Sequence, residues 1–359
     1  MWGKRDDMVV HEESPYNAEP PLPALASHQI TALDTFYVRN HGPVPEIDLD
    51  AWRLIVGGMV GRRLELSLTD LKLDFPERRQ LTTLQCAGNR RRGLIEVREI
   101  PGEDPWGGGA TSTAWWTGVP LAEVLTAANV DADAGHVAFE APDDSELADP
   151  TQPYGSSIPL AKAMSGEVLL AREMNDEPLA PVHGAPLRVV VPGYIGARSV
   201  KWLERITVQD EPSTNFFQAT AYRVLPPEAD PDTAGPGDGI SLGSVALNSE
   251  ILTPTEGELV GDGPIEVTGY AHAGEARYVA RVDVTADGGA TWVQAELGEQ
   301  VDGAWRLWRA TVQGGAGTQP ITARAWDSTG ACQPESPGDL WNPKGYVNNS
   351  WPTVRVRRD

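Results

Sequence analysis

The stretch LPPEADPDTAGPGDGISLGS, residues 225–244, separates two parts of the chain that differ in character. It is rich in proline, glycine and aspartate, a composition typical of loops and linkers. Before it, strand-like runs such as LRVVVPG (187–193) alternate with helical runs such as PLAEVLTAAN (120–129), which predicts a mixed α+β domain. After it, almost every run reads as a strand followed by a turn. We therefore predict two domains, residues 1–225 and 246–359, joined by a linker at 226–245.

The second part predicts an all-β sandwich of the immunoglobulin type. About seven strand-like runs follow one another at regular spacing, among them PIEVTGYAH (264–272) and TVRVRR (353–358). The run VDVTADGGATWVQA (282–295) is typical of a hairpin with Asp-Gly-Gly at its tip. Since this part contains a single cysteine, we expect its hydrophobic core to hold it together without a disulfide.

Composition limits the class of partner. The chain of 359 residues has a formal net charge of −22, which argues against nucleic acid because phosphates require a basic surface. The same charge favours a cationic protein partner. No apolar run reaches the roughly 18 residues of a membrane span. The charged N-terminus has no apolar leader region, so we expect a cytoplasmic protein, or a periplasmic one if a leader has been removed.

The stretch LTTLQCAGNRRRGL, residues 81–94, places one of only two cysteines, Cys86, beside three consecutive arginines. Guanidinium groups stabilise a thiolate, which is the form that binds a soft metal. The alternative is that Cys86 is a buried small hydrophobic residue. Around it there are no histidines, cysteines or carboxylates at metal-ligand spacing, so the other ligands of a metal would come from elsewhere, most economically from an organic cofactor. The arginines would form a local cationic pocket for an anionic substrate.

Ordered motifs along essentially the whole chain resemble the sulfite oxidase family of molybdopterin-dependent oxidoreductases, in its haem-free bacterial type. The haem domain that some members carry at the N-terminus has no counterpart among these motifs. The matching stretches are PYNAEPP (15–21), FYVRNHGPVP (36–45), LQCAGNRR (84–91), GATSTAWWTGVPL (109–121), YGSSIPLAKAM (154–164), NDEPLAPVHGAPLRVVVPGYIGARSVKWL (175–203), GYAHAG (269–274), VDVTADGGATW (282–292) and AWRLW (304–308).

The resemblance implies a set of site residues. Cys86 would be the molybdenum ligand, with the other sulfurs supplied by the pterin. The residues implied to bind the cofactor are Tyr37, Val38, Arg39, Asn40, His41, Cys86, His183, Arg188, Ser199, Val200 and Lys201. The residues implied around the substrate are Arg39, Arg91, Trp106, Tyr222 and Arg306. Taken one at a time, each has an ordinary structural explanation, such as a turn for His183 or an exposed strand position for Arg306.

The resemblance also implies the activity: oxidation of sulfite to sulfate with a molybdenum–molybdopterin cofactor, in a homodimer that passes electrons to an external acceptor such as a cytochrome c. The first alternative is a member of the family that acts on nitrate or another sulfur compound. Arg306 favours sulfite, because the family resemblance links loss of this arginine with nitrate reduction. WGGGATSTAWW (106–116) departs from the family, with glycine and tryptophan where close relatives carry arginines. The second alternative is a non-enzymatic binding protein with an inert Cys86.

Overall fold

The computed structural model describes residues 2–315 and 317–358. Four short α-helices lie in the first domain: α1 (Leu68–Leu73), α2 (Arg91–Ile95), α3 (Leu121–Ala127) and α4 (Leu160–Ala163). Its strands are β1 (Val9–Glu13), β2 (Tyr16–Glu19), β3 (Leu54–Gly58), β4 (Leu64–Leu66), β5 (Arg78–Gln85), β6 (Thr111–Pro120), β7 (His136–Ser145), β8 (Gln152–Pro159), β9 (Leu169–Met174), β10 (Glu177–Pro178), β11 (Arg188–Val190), β12 (Arg205–Gln209) and β13 (Arg223–Val224), and β14 (Ile240–Ser241) lies in the linker.

Two five-stranded sheets form the body of the first domain. One has the order β10–β9–β6–β5 with β11 also on β9, and the other has the order β4–β3–β12–β7–β8. Short helices close their connections: α3 starts directly after Pro120, as predicted, and buries Leu121, Val124 and Leu125 on one face. The helix α1 starts at a capping box in which Ser67 and Asp70 satisfy each other's backbone N–H groups.

The second domain is a sandwich of two four-stranded sheets, which confirms the predicted fold class. The strands are β15 (Asn248–Thr253), β16 (Pro264–His272), β17 (Val279–Thr285), β18 (Val293–Gln294), β19 (Glu296–Leu297), β20 (Arg306–Gln313), β21 (Gly317–Asp327) and β22 (Thr353–Arg358). The sheet orders are β15–β16–β20–β19 and β18–β17–β21–β22. The Asp-Gly-Gly tip lies between β17 and β18, which pair antiparallel, as the hairpin signature predicts.

Each domain packs against a segment that belongs to the other part of the chain. Near the N-terminus, Leu25 packs into a small core with Tyr270 and Trp305 of the second domain. Near the C-terminus, Tyr346 returns to the main core of the first domain. The two ends of the linker between the domains lie side by side, because β13 and β14 pair antiparallel. Within the described ranges, no helix has the length and apolar character needed to cross a membrane.

Candidate active site

A cavity that is partly open to solvent lies in the first domain. Segments far apart in the chain supply its walls: residues 36–41, the loop after β5, the turn before β11, the segment 196–202 and Tyr222. The sequence-predicted residues that line it are Tyr37, Val38, Arg39, Asn40, His41, Cys86, His183, Arg188, Ser199, Lys201 and Tyr222. The fold thus brings most of the predicted site together in one place.

Cys86 lies where β5 ends and the chain turns. Its N–H donates to Ala110 O at 2.9 Å, and its carbonyl accepts from Asn89 N at 3.0 Å. Arg90 then adopts a left-handed conformation (φ 66°), and α2 begins at the next residue. The turn is also held from the second domain, because Asn89 Nδ2 donates to Tyr270 Oη at 2.9 Å. The thiol is therefore set on a rigid turn and not on a mobile loop.

Burial raises the pKa of the Cys86 thiol, although the charges of Arg39 and Arg91 act in the opposite direction. The arginines thus act in the direction expected from the sequence, and desolvation, which the sequence does not reveal, outweighs them. A bound metal ion changes this balance, because coordination removes the thiol proton.

Hydrogen bonds to the N-terminal hairpin of β1 and β2 hold the cavity wall formed by residues 36–41 in place. Val38 and Ala18 exchange both backbone hydrogen bonds, at 2.8 and 3.0 Å. Asn40 N donates to Asn17 Oδ1 at 2.6 Å, and Asn40 Nδ2 donates to Tyr16 O at 2.9 Å. The motif PYNAEPP does not line the cavity, but it holds in place the extended segment that presents Arg39 and His41 to it.

His183, Arg188 and Lys201 form the cationic side of the cavity. Arg188 Nη1 donates to His183 O at 2.9 Å and Arg188 Nη2 donates to Ser199 O at 3.1 Å, so the guanidinium is held in place by carbonyl oxygens. Gly184, with φ 104°, leaves room for Lys201, since a Cβ there would lie 2.9 Å from Lys201 Cβ.

Burial of these cations is energetically costly. Burial, followed by the charge of Arg188, lowers the pKa of Lys201 well below its ordinary value. Burial also lowers the pKa of Arg188 to about 10. Among the described residues, Arg39, Arg188 and Lys201 make no ion pair within 4 Å, and Asp143 is the acidic residue of the cavity wall. Such a site is stabilised by an anionic ligand.

His41 and Tyr222 are in direct contact across the cavity wall, with Nε2 and Oη 2.5 Å apart. Burial, helped by the charges of Arg39 and Lys201, lowers the pKa of His41 well below its ordinary value, so its imidazole is neutral. Burial raises the pKa of Tyr222, so its hydroxyl keeps its proton. His41 stacks on Tyr154 with ring centroids 4.5 Å apart. The pair thus joins an O–H donor to an imidazole nitrogen that can accept its hydrogen bond.

The predicted arginine pocket around Cys86 does not form from the run RRR. Arg90 pairs with Glu250 at 2.9 Å, and Arg91 pairs with Glu103 at 2.9 Å. Arg92 is exposed. Neighbouring carboxylates therefore neutralise the two buried arginines, and Arg39 is the arginine that lines the cavity near the thiol.

The structure also leaves Arg91, Trp106, Val200 and Arg306 outside the cavity lining. Arg91 lies behind the wall, with its guanidinium 5.2 Å from the centre of the Tyr346 ring. Trp106 is fully buried, with its ring 4.5 Å from that of His11. Val200 belongs to the hydrophobic core.

Arg306 lies at the start of β20 in a separate groove between the domains. Its guanidinium donates to Gly298 O at 2.7 Å and to Val279 O at 2.9 Å. The sequence-based expectation that the second domain supplies Arg306 to the substrate is not supported by this position, because carbonyl oxygens of its own domain hold the side chain.

Several residues around the site were missed by sequence reasoning. Asp143 and Tyr154 line the cavity, and burial raises the pKa of Asp143 to about 7. Lys344 and Tyr346 lie behind its wall: Lys344 O accepts from Arg91 Nε at 3.1 Å, and the Tyr346 ring stacks on Tyr222 at 5.5 Å. Tyr154 falls within a matching stretch (154–164) and could have been found there; the others carry no local signal.

Comparison with known proteins agrees with this architecture. Residues 41–217 match the family described as oxidoreductase molybdopterin binding domain, and residues 241–359 match the family described as Mo-co oxidoreductase dimerisation domain. The mitochondrial sulfite oxidase of Macaca fascicularis is 44% identical over 97% of this chain, which spans 65% of the length of that protein. The sulfite oxidase of Arabidopsis thaliana is 38% identical over 99% of this chain and 95% of its own length.

A solved structure has the same fold. The sulfane dehydrogenase SoxCD of Paracoccus pantotrophus superposes with a TM-score of 0.82 at 27% identity, covering 97% of this chain and 86% of that chain. Because the superposition covers 97% of this chain, it extends over both domains. The protein belongs to the sulfite oxidase family of molybdopterin oxidoreductases.

Proposed function

We propose that this protein oxidises sulfite to sulfate with a molybdenum–molybdopterin cofactor and passes the electrons to an external acceptor. The net reaction consumes one sulfite and one water and releases sulfate, two protons and two electrons. The observation that carries the proposal is that the Cys86 thiol, the Tyr222 hydroxyl and Arg39, which makes no ion pair with a described residue, line one cavity. The names of the relatives, two of them sulfite oxidases, support the choice of substrate.

The residues present fit the cofactor. Cys86 offers the one protein sulfur of the cavity, and His183, Arg188 and Lys201 offer buried donors to the phosphate of the pterin. When bound, the molybdenum cofactor supplies the oxygen-atom transfer and accepts the two electrons. The contribution of the protein is to bind the anion, to orient it and to manage protons.

Arg39 is placed to attract the substrate. Its charge opposes the rise in the pKa of Cys86 that burial causes, and it forms no ion pair among the residues that the structure describes. A guanidinium binds an oxyanion through forked, charge-assisted hydrogen bonds. The overall charge of −22 would otherwise repel sulfite, so this local positive charge is needed for binding.

Tyr222 and His41 are placed to orient the water that is consumed. The short contact between Tyr222 Oη and His41 Nε2 lets the hydroxyl donate to a neutral imidazole. Because burial keeps the pKa of His41 well below its ordinary value and raises that of Tyr222, both groups stay uncharged at neutral pH, and the Tyr222 oxygen is held where it can accept a hydrogen bond from the water.

The acceptor and the assembly are part of the same proposal. A cationic electron carrier such as a cytochrome c would suit the acidic surface of the protein. The match of residues 241–359 to a dimerisation domain supports a homodimer formed through the sandwich.

The experiment is sulfite-dependent reduction of ferricyanide by purified protein that has been shown to contain molybdenum. We expect saturable reduction by the wild type. Cys86→Ser should abolish the reduction and the visible thiolate-to-metal absorption while thermal unfolding stays cooperative. Cys332→Ser is the matched control, because Cys332 is the other cysteine and is exposed. It should behave as wild type.

Two outcomes would contradict the proposal. Undiminished turnover by Cys86→Ser would remove Cys86 from the metal. Molybdenum-loaded wild type that is inert to sulfite but turns over nitrate or another sulfur compound would reassign the substrate within the family.

A further inference from the structure

Lys4 is a buried cation near the start of the chain, and no motif of the sequence points to it. Its side chain crosses from the N-terminal segment to the base of the cavity and retains 8% exposure. The Lys4 nitrogen donates to Leu33 O at 2.5 Å and to Phe36 O at 2.8 Å, and it lies 2.7 Å from His183 Nε2, where the donor depends on the tautomer of the ring. With Nε2 unprotonated, these three groups are acceptors that match the three protons of an ammonium group.

His183 lies between Lys4 and the cavity. Its ring packs edge-on against Phe36, with centroids 5.4 Å apart, and the residue lines the cavity beside Arg188 and Lys201. Since Nε2 is occupied by Lys4, the ring nitrogen left for a ligand is Nδ1. Burial and the charges of Lys4, Arg188 and Lys201 lower the pKa of His183 well below its ordinary value, so the ring carries a single proton.

The position of that proton decides what the ring presents to the cavity. If the Lys4 ammonium donates to Nε2, the proton of the neutral ring resides on Nδ1, and the ring offers an N–H to a ligand. If instead Lys4 were a neutral amine that accepted from Nε2–H, Nδ1 would present a lone pair, which an anion avoids. The two carbonyl oxygens accept from either form of the lysine, so the contact with Nε2 is the one that distinguishes the two cases. Burial lowers the pKa of Lys4 to about 7, while the charge of Asp34 favours the ammonium, and an anion bound beside His183 would favour it further.

We propose that Lys4 is a positioning residue that fixes His183 as the Nδ1–H tautomer, so that the ring donates to a phosphate bound beside Arg188 and Lys201. This rests on the proposed function, because the phosphate is that of the pterin. The same nitrogen contacts the carbonyl oxygens of Leu33 and Phe36 as well as His183. It therefore links the start of the 36–41 segment to the cationic side of the cavity. The N-terminal segment thus takes part in cofactor binding without touching the cofactor.

The first test uses the wild-type full chain and needs no substitution. Protein carrying ¹⁵N-histidine, purified from a host that cannot make the pterin, is examined by heteronuclear NMR, and the His183 signals are identified by their absence in His183→Asn. We expect protonated Nδ1 and unprotonated Nε2. Protonated Nε2 in the wild type would overturn the proposal.

The second test measures pterin retention by the holoenzyme after dialysis, from the fluorescence of the oxidised pterin per chain. Lys4→Met should weaken retention about 10- to 100-fold, the usual effect of removing a group that orients a ligand. It should also change the tautomer of His183. Lys4→Arg should restore both, since a guanidinium can serve the same acceptors. Arg5→Met is the matched control, because Arg5 pairs with Asp7 and not with His183.

The outcomes separate this inference from the proposed function. Unchanged retention and an unchanged tautomer in Lys4→Met would refute the role of Lys4. If retention and tautomer respond as expected while sulfite is not oxidised, the role of Lys4 stands and the proposed substrate falls.

Discussion

At the scale of single residues, the position of each arginine decides its use. Arg39 lines the cavity without an ion pair among the described residues, whereas Arg306 is held at another site by two carbonyl oxygens. Both lie in stretches that resemble the family, and sequence reasoning treated them alike. The structure distinguishes them, because a guanidinium whose donors are already satisfied in its own domain has little to offer a distant anion.

We therefore expect opposite results from two matched substitutions. Arg39→Met should lower kcat/KM for sulfite about 10- to 100-fold, the effect of losing a charged hydrogen bond of roughly 1.5–3 kcal/mol. Arg306→Met should leave kcat/KM within about two-fold of wild type, since a surface change away from a site has little effect. The measurement is steady-state ferricyanide reduction, normalised to molybdenum content. A strong loss in Arg306→Met would bring this side chain back into the substrate path.

At the scale of elements, the N-terminal hairpin supports the site through Glu19. The Glu19 carboxylate accepts from Gly107 N at 2.6 Å and from Gly109 N at 2.8 Å, and contacts His11 Nε2 at 3.0 Å. It thereby fastens the glycine-rich turn before β6 to β2, and β2 in turn pins the 36–41 wall. The backbone N–H groups of Gly107 and Gly109 therefore hydrogen-bond to the N-terminal hairpin.

Glu19→Gln should lower the free energy of unfolding by about 1.5–3 kcal/mol, because a neutral amide cannot replace both charged acceptor contacts of a buried carboxylate. The measurement is urea unfolding followed by tryptophan fluorescence, since Trp106 lies next to this turn. Glu13→Gln on the same hairpin is the control, because Glu13 is exposed, and it should match wild type. Equal free energies of unfolding for the two variants would show that the Glu19 contacts make no net contribution to stability.

At the scale of the whole molecule, the domains depend on one another. The turn that carries Cys86 is held by Tyr270 from the second domain, and the sandwich contributes Tyr346 to the first core. The sandwich also contains a buried histidine, His272, whose pKa is lowered to about 4, chiefly by burial. Such a group makes folding sensitive to pH.

The sign of that dependence follows from the two states. Between pH 6.5, the ordinary value for histidine, and pH 4, the unfolded chain binds a proton at His272 that the folded chain does not. Stability is therefore lost as the pH falls through this window, by up to about 1.4 kcal/mol per pH unit from this group. In urea unfolding at pH 7.5 and 4.5, His272→Leu should lose less stability on acidification than wild type. His28→Leu, at an exposed position, should not differ from wild type, and equal losses in His272→Leu and wild type would contradict the burial argument.

The sequence by itself determined the order of the two domains, the sandwich and most of the residues that meet in the cavity. These features are local: strand periodicity, the proline- and glycine-rich stretch at 225–244, and motifs such as LQCAGNRR, whose neighbours in sequence remain neighbours in the fold. Tyr37 to His41 were implied as a group by the resemblance of FYVRNHGPVP to the family, and they stay together in the fold because one extended segment presents them to the cavity.

Only the tertiary structure decided which charges face the cavity. Arg90 and Arg91 are turned to Glu250 and Glu103, and Lys4 reaches His183 across 179 positions of the chain. Asp143 enters the wall although nothing in its surroundings in sequence marks it. The physical reason is that the groups within a few ångströms of a charged side chain decide whether it is neutralised or left to bind a ligand. Long-range packing brings those groups there, so the local sequence does not predict them.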